Sequence, residues 1–161
     1  MKRIISTIAE VETRACAAEF ANTLQRGDVV ALTGELGAGK TQFVKGVCEA
    51  FGVHELVASP SFVILNRYNG RDSHGEELLL HNLDLYRVRS MQEIYDLGFE
   101  EFLYGNGIAL IEWAEVLGEL LPAQRYDIHL LYGEAEEERV ISIEVQSGMS
   151  AAHAKRKLED A

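Results

Sequence analysis

Gly34-Glu35-Leu36-Gly37-Ala38-Gly39-Lys40-Thr41 follows the pattern G-x-x-x-x-G-K-T, the signature of a phosphate-binding loop. Its surroundings suit that reading. Upstream, Val29-Val30-Ala31-Leu32 is a short apolar run fit for a buried parallel strand. Downstream, Phe43, Val44, Val47 and Phe51 recur at helical spacing, and Gly52 suits the helix end. A glycine-rich turn between a strand and a helix points backbone N–H groups at phosphate oxygens, and the helix dipole favours the same anion. Lys40 is then placed to reach the β- and γ-phosphates, and the Thr41 hydroxyl to bind Mg²⁺. The fold expected around such a loop is α/β: a P-loop NTPase-like mixed, largely parallel sheet flanked by helices, with antiparallel strands added.

The rest of the chain supplies candidate partners for that loop. Ser59-Pro60-Ser61-Phe62 carries two hydroxyls held extended by Pro60, and reads either as a plain turn or as a switch reaching the γ-phosphate or Mg²⁺. Segments 62–68 and 77–83 predict an antiparallel hairpin around the turn-rich 69–75. The second strand ends in Asp84, where a carboxylate can hold Mg²⁺ through water or orient an attacking water. Ile108-Ala109-Leu110-Ile111 is a second buried run, ending in Glu112-Trp113. Ligands of open α/β sheets sit outside the carboxyl ends of the strands, so both acidic residues are expected there. Arg87 has two partners open to it, a phosphate or a neighbouring carboxylate. His81 and His129 read as strand residues.

Elsewhere the signals are structural. Thr7-Ile8-Ala9-Glu10 and Ser90-Met91-Gln92-Glu93 both fit capping boxes. The first predicts a helix running through Leu24 to Gly27, and the second a short helix stopping at Gly98 with a further turn or two over 99–104. A helix over 114–121 is expected to stop at Pro122, and 126–131 with 139–145 predict another antiparallel pair. Residues 148–161 read as a polar tail or terminal helix, with Lys155-Arg156-Lys157 as its basic cluster.

With 161 residues, 47% hydrophobic and 25% charged, the chain is expected to form one domain over 1–161 with its own core. No apolar run suits a membrane span, and Glu10 arrives before a signal-peptide core can form, so a cytoplasmic protein is expected. Cys16 and Cys48 read as buried thiols. A net charge of −11 repels polyphosphate chains, so direct tRNA or DNA binding is not expected of the chain unaided. ATP is different, because Lys40, backbone amides and Mg²⁺ meet its charge locally.

Taken in order, residues 34–41, Ser-Pro-Ser-Phe (59–62), Asp-Leu-Tyr-Arg (84–87), Leu-Gly-Phe-Glu-Glu-Phe (97–102) and Ile-Glu-Trp (111–113) resemble the bacterial TsaE (YjeE) ATPase family, over roughly 5–145. The resemblance implies a small Mg²⁺-dependent ATPase acting with TsaB and TsaD in making threonylcarbamoyladenosine beside the anticodon of tRNAs, where the transfer itself is attributed to TsaD. It further implies that Thr41 and Glu112 hold Mg²⁺, that Lys40 contacts phosphate, and that Asp84 positions or activates the hydrolytic water. Ser59 and Ser61 fall in the family's switch, Trp113 packs by the site, and Glu10 lies near the nucleotide. Departures are Asn82 where the family commonly has His, with His81 shifted by one onto the other face of the strand, and Gln42 where a second Thr is common. Two other readings remain open on the residues alone: a small-molecule kinase, which lacks an evident arginine-rich lid, and a nucleotide-binding interaction module without turnover. A GTPase would need an Asn-Lys-x-Asp stretch, which the chain lacks.

Overall fold

The computed structural model describes residues 2–55, 57 and 65–146. Seven strands form one sheet in the order β1-β7-β6-β2-β5-β4-β3. They are β1 (Lys2–Thr7), β2 (Val29–Gly34), β3 (Leu65–Arg71), β4 (Glu77–Asp84), β5 (Ile108–Glu112), β6 (Arg125–Tyr132) and β7 (Arg139–Gln146). The four central strands, β6-β2-β5-β4, run parallel, while β7, β1 and β3 join antiparallel at the two margins. The mixed, centrally parallel sheet flanked by helices is the architecture expected from the sequence.

Burial on both faces explains why the central strands are continuous apolar runs. Val30 and Leu32 of β2, with Ile108 and Leu110 of β5, pack into one core, beneath helices α1 (Glu10–Ala21) and α2 (Lys40–Ala50). Phe20, Phe43, Val44 and Val47 fill it from the helix side, with Phe43 fully buried. Alternate residues Val29, Ala31, Ala109 and Ile111 face a second core, closed by α3 (Met91–Asp96), α4 (Phe99–Leu103) and a 3₁₀ segment over Ala114–Leu120. The sheet is thus sandwiched, and its parallel strands all present their carboxyl ends on one side.

Several local expectations need correction. The stretch from Thr7 to Glu10 is not a capping box: Thr7 closes β1 and its hydroxyl meets that of Thr13, 2.9 Å away, while Ala9 is the N-cap of α1. Glu12 instead reaches back to the Ile8 N–H at 2.6 Å. α1 ends at Ala21, and single turns carry the chain through Leu24 to Gly27. The predicted 114–121 helix is a 3₁₀ segment broken at Gly118, whose backbone leaves helical angles (φ 51°, ψ −120°). Ser90 caps α3 as expected, its hydroxyl accepting from the Glu93 N–H, but the Glu93 carboxylate accepts from the Arg89 N–H, one residue before the cap, so the reciprocal half of the box is displaced. The expected hairpin pairs antiparallel, but its first strand runs to Arg71, so 69–71, expected in the loop, pair with β4; 125–132 and 139–146 also pair antiparallel as expected. Ser59, Ser61, residues 62–64 and the 148–161 tail lie outside the described residues.

Candidate active site

The 34–41 stretch links β2 directly to α2, and two of its glycines are required there. A Cβ at Gly34 would lie 2.5 Å from the Leu130 carbonyl oxygen, so β6 can approach only a bare backbone. Gly39, the N-cap of α2, holds φ 107°, which a side chain rarely tolerates. The neighbouring strand β6 fastens the loop from outside. His129 hydrogen-bonds the Thr33 hydroxyl, and the Tyr132 hydroxyl donates to the Leu36 carbonyl at 2.6 Å. His129 therefore has the structural task expected of it. Tyr132 was not legible as a site residue, because β6 returns to the loop only through the strand order.

β4 and β5 bring the carboxylates to the loop. Their register sets Asp84 directly beside Glu112, with Glu112 on the strand next to β2 and Asp84 one strand further out. Glu10, Leu36, Gly37, Gly39, Lys40, Thr41, Gln42, Asp84, Glu112 and Trp113 together line one pocket of about 220 Å³. A larger groove of about 730 Å³ lies at the other end of α1 and α2, beside Asn22, Phe51 and His74, remote from these residues. Chemistry, rather than size, selects the smaller pocket.

Within the pocket several polar groups contact one another. The Thr41 hydroxyl donates to Glu112 Oε1 at 2.9 Å. Glu112 is only 2% exposed, its Oε2 makes no well-formed hydrogen bond, and burial pushes its carboxyl up to about 7, with Thr41, Asn82 and Lys40 opposing the rise and Asp84 adding to it. Lys40 Nζ donates to the Gly34 and Glu35 carbonyls at 2.6 and 3.0 Å and stands 4.1 Å from the centre of the Trp113 ring. Burial lowers its pKa, while Glu112, Glu115 and Asp84 act the other way. Trp113 also stacks at 4.8 Å on Tyr86, and is the one non-glycine residue with positive φ among those described (58°). That conformation turns the chain sharply after β5 and lays the indole under the lysine. Asp84 Oδ1 accepts from the Tyr86 N–H at 3.0 Å.

Other expected site residues stand less close. Ala38 is buried in the core beneath the loop, and Glu35 is exposed. Gln42 reaches the pocket wall, but its amide oxygen accepts from Arg14 of α1 at 2.8 Å. Arg87 is exposed in the turn after β4 and does not line the pocket. His81 faces the second core, its ring 5.1 Å from Phe102, with its pKa lowered by burial and by Arg67. The one-residue shift thus removes it from the site. Asn82, on the opposite face, is fully buried and lies beside Glu112.

Comparison with known proteins identifies the family. The model of the family "Threonylcarbamoyl adenosine biosynthesis protein TsaE" matches residues 7–141. The chain belongs to the TsaE family. Among TsaE relatives, the Bacillus subtilis protein named tRNA threonylcarbamoyladenosine biosynthesis protein TsaE is 41% identical over 122 residues, covering 76% of this chain and 73% of the relative. The Treponema pallidum protein of the same name is 41% identical over 107 residues, covering 66% and 75%. The crystal structure of Bacillus subtilis YdiB superposes with a TM-score of 0.77 at 31% identity, covering 99% of this chain and 96% of that one. No helix among the described residues is long and apolar enough to cross a membrane.

Proposed function

We propose that this chain is a Mg²⁺-dependent ATPase that serves tRNA threonylcarbamoyladenosine formation, the process its relatives are named for. The observation that carries the reading is the convergence of Lys40, Thr41, Asp84 and Glu112 on one pocket at the carboxyl ends of parallel strands. In this reading Gly34–Gln42 cradles the phosphates and Glu10 borders the nucleotide. Lys40 trades its two loop carbonyls for phosphate oxygens. Asp84 orients the attacking water for in-line displacement.

The donor set fits Mg²⁺. Thr41 and Glu112 offer hard oxygens, and Glu112 Oε2 is buried without a partner. Among the described residues no three His, Cys, Asp or Glu side chains are grouped to hold a metal, and Mg²⁺ asks for only one or two protein oxygens beside phosphates and water. Bound there, the ion would neutralise charge on the transferred phosphoryl group.

The resemblance further supports action with TsaB and TsaD, with the nucleotide state controlling docking through the 59–61 switch. The test is ATP hydrolysis by the purified protein with Mg²⁺, alone and then with TsaB plus TsaD, with Asp84→Ala as control. Turnover that rises with the partners and falls in the variant supports the reading. ATP binding without turnover in either condition overturns it in favour of a binding module.

A further inference from the structure

Asn82 is the conspicuous unexplained group near the pocket. It is fully buried on β4, and neither its Nδ2 nor its Oδ1 makes a well-formed hydrogen bond, although the carboxamide lies within reach of the Glu112 carboxylate. A carboxamide with both ends unsatisfied is rare in a folded chain. By strand alternation and register, Asn82 shares a sheet face with Glu112, opposite Leu110 and two residues before Asp84. Glu112 Oε2 is itself buried and unpartnered. A donor and an acceptor that each lack a partner therefore stand side by side, behind the pocket wall. Thr41 already holds the other carboxylate oxygen.

We infer that Asn82 is a positioning residue for the cation: its Nδ2–H group holds Glu112 Oε2 and so fixes the carboxylate as a divalent-metal ligand. This rests on the Mg²⁺-dependent reading above. Outer partners of this kind orient the ligating group, and losing one typically weakens metal binding by about 10–100-fold. An Asn82→Leu side chain has nearly the same size, packs against the neighbouring Leu80 and Leu110, and donates nothing.

The experiment measures affinity for a non-hydrolysable ATP analogue with Mg²⁺ and with EDTA, in wild type and Asn82→Leu, together with Tm of each protein without nucleotide. The expected result is a loss of about tenfold or more confined to the Mg²⁺ condition, with Tm little changed because leucine fills nearly the same volume. Asn82→Thr, which keeps a hydroxyl on a strand-compatible frame, should recover part of the loss and replaces the leucine variant if that fails to fold. Mg²⁺ dependence kept within about twofold overturns the inference alone, leaving the ATPase reading standing. Equal losses with and without Mg²⁺, tracking a lower Tm, assign Asn82 to packing and also overturn it. A wild-type protein whose nucleotide affinity ignores Mg²⁺ overturns both readings.

Discussion

Glu112→Gln tests the electrostatics of the site through stability rather than turnover. Burial holds the Glu112 carboxyl near 7, against 4.5 for a free glutamate. Below 4.5 the folded and unfolded chains both carry the proton, so the group does not oppose folding. As pH rises through the window from 4.5 to about 7, the unfolded chain gives up its proton and the folded one resists, so stability contributed by the protonated carboxyl is lost. The difference between 4.5 and about 7, at about 1.36 kcal/mol for each tenfold change in proton affinity, corresponds to about 3 kcal/mol. Glutamine keeps an oxygen for the Thr41 hydroxyl and carries no charge at any pH. Its own packing cost is a constant offset, which cancels when one variant is compared at two pH values. Urea unfolding in EDTA, at pH 4.5 and pH 8, should therefore show Glu112→Gln gaining about 3 kcal/mol on wild type between the two. The same variant should bind nucleotide without a Mg²⁺ response, since its ligating charge is gone. A stability difference equal at both pH values would refute the view of Glu112 as a carboxyl held protonated by burial.

Three further outcomes are expected. Gly46→Ala should lower stability by about 1–3 kcal/mol in denaturant unfolding, because its Cβ would press on the Arg14 carbonyl and lie 2.7 Å from Ala17 Cβ, where α1 and α2 touch; an unchanged midpoint refutes that close approach. The intrinsic fluorescence of Trp113, the chain's single tryptophan, should change on nucleotide binding as Lys40 leaves the ring, and Lys40→Ala should abolish the change; binding seen by calorimetry with no optical change refutes the exchange of contacts. Asp84→Asn should slow ATP hydrolysis by about 100-fold while nucleotide affinity stays within a few-fold, as for loss of a water-orienting group. Equal losses in both would place Asp84 in binding instead.

What was legible in the sequence was whatever the backbone had to do locally. β2, the 34–41 loop and α2 are written as an apolar run, three glycines and a helical stripe, and each of those signals rests on neighbours in the chain. Asp84 and Glu112 were legible as strand ends, and parallel pairing with β5 as the shared neighbour then put them side by side. β1 was not legible, because Lys2-Arg3-Ile4-Ile5-Ser6-Thr7 is an exposed edge strand without apolar alternation. Its existence depends on β7, more than a hundred residues away. The false capping box at Thr7 follows from the same omission: once Thr7 belongs to a strand, its hydroxyl answers to Thr13 across the turn.

The site shows the same division between local and long-range order. The residues that sequence placed there stand at their own strand ends and loop, whereas the contacts it missed reach in from elsewhere. Tyr132 and His129 clamp the loop only because β6 lies next to β2, and Arg14 engages Gln42 only because α1 packs on α2. Asn82 is the sharpest case. Read along the chain, it is a departure from the family's usual histidine; read in the sheet, it is the unsatisfied donor beside the unsatisfied acceptor of Glu112. A buried donor and a buried acceptor without well-formed partners are costly to keep in a folded chain, and in the reading proposed above that cost is offset when a cation binds the Glu112 carboxylate.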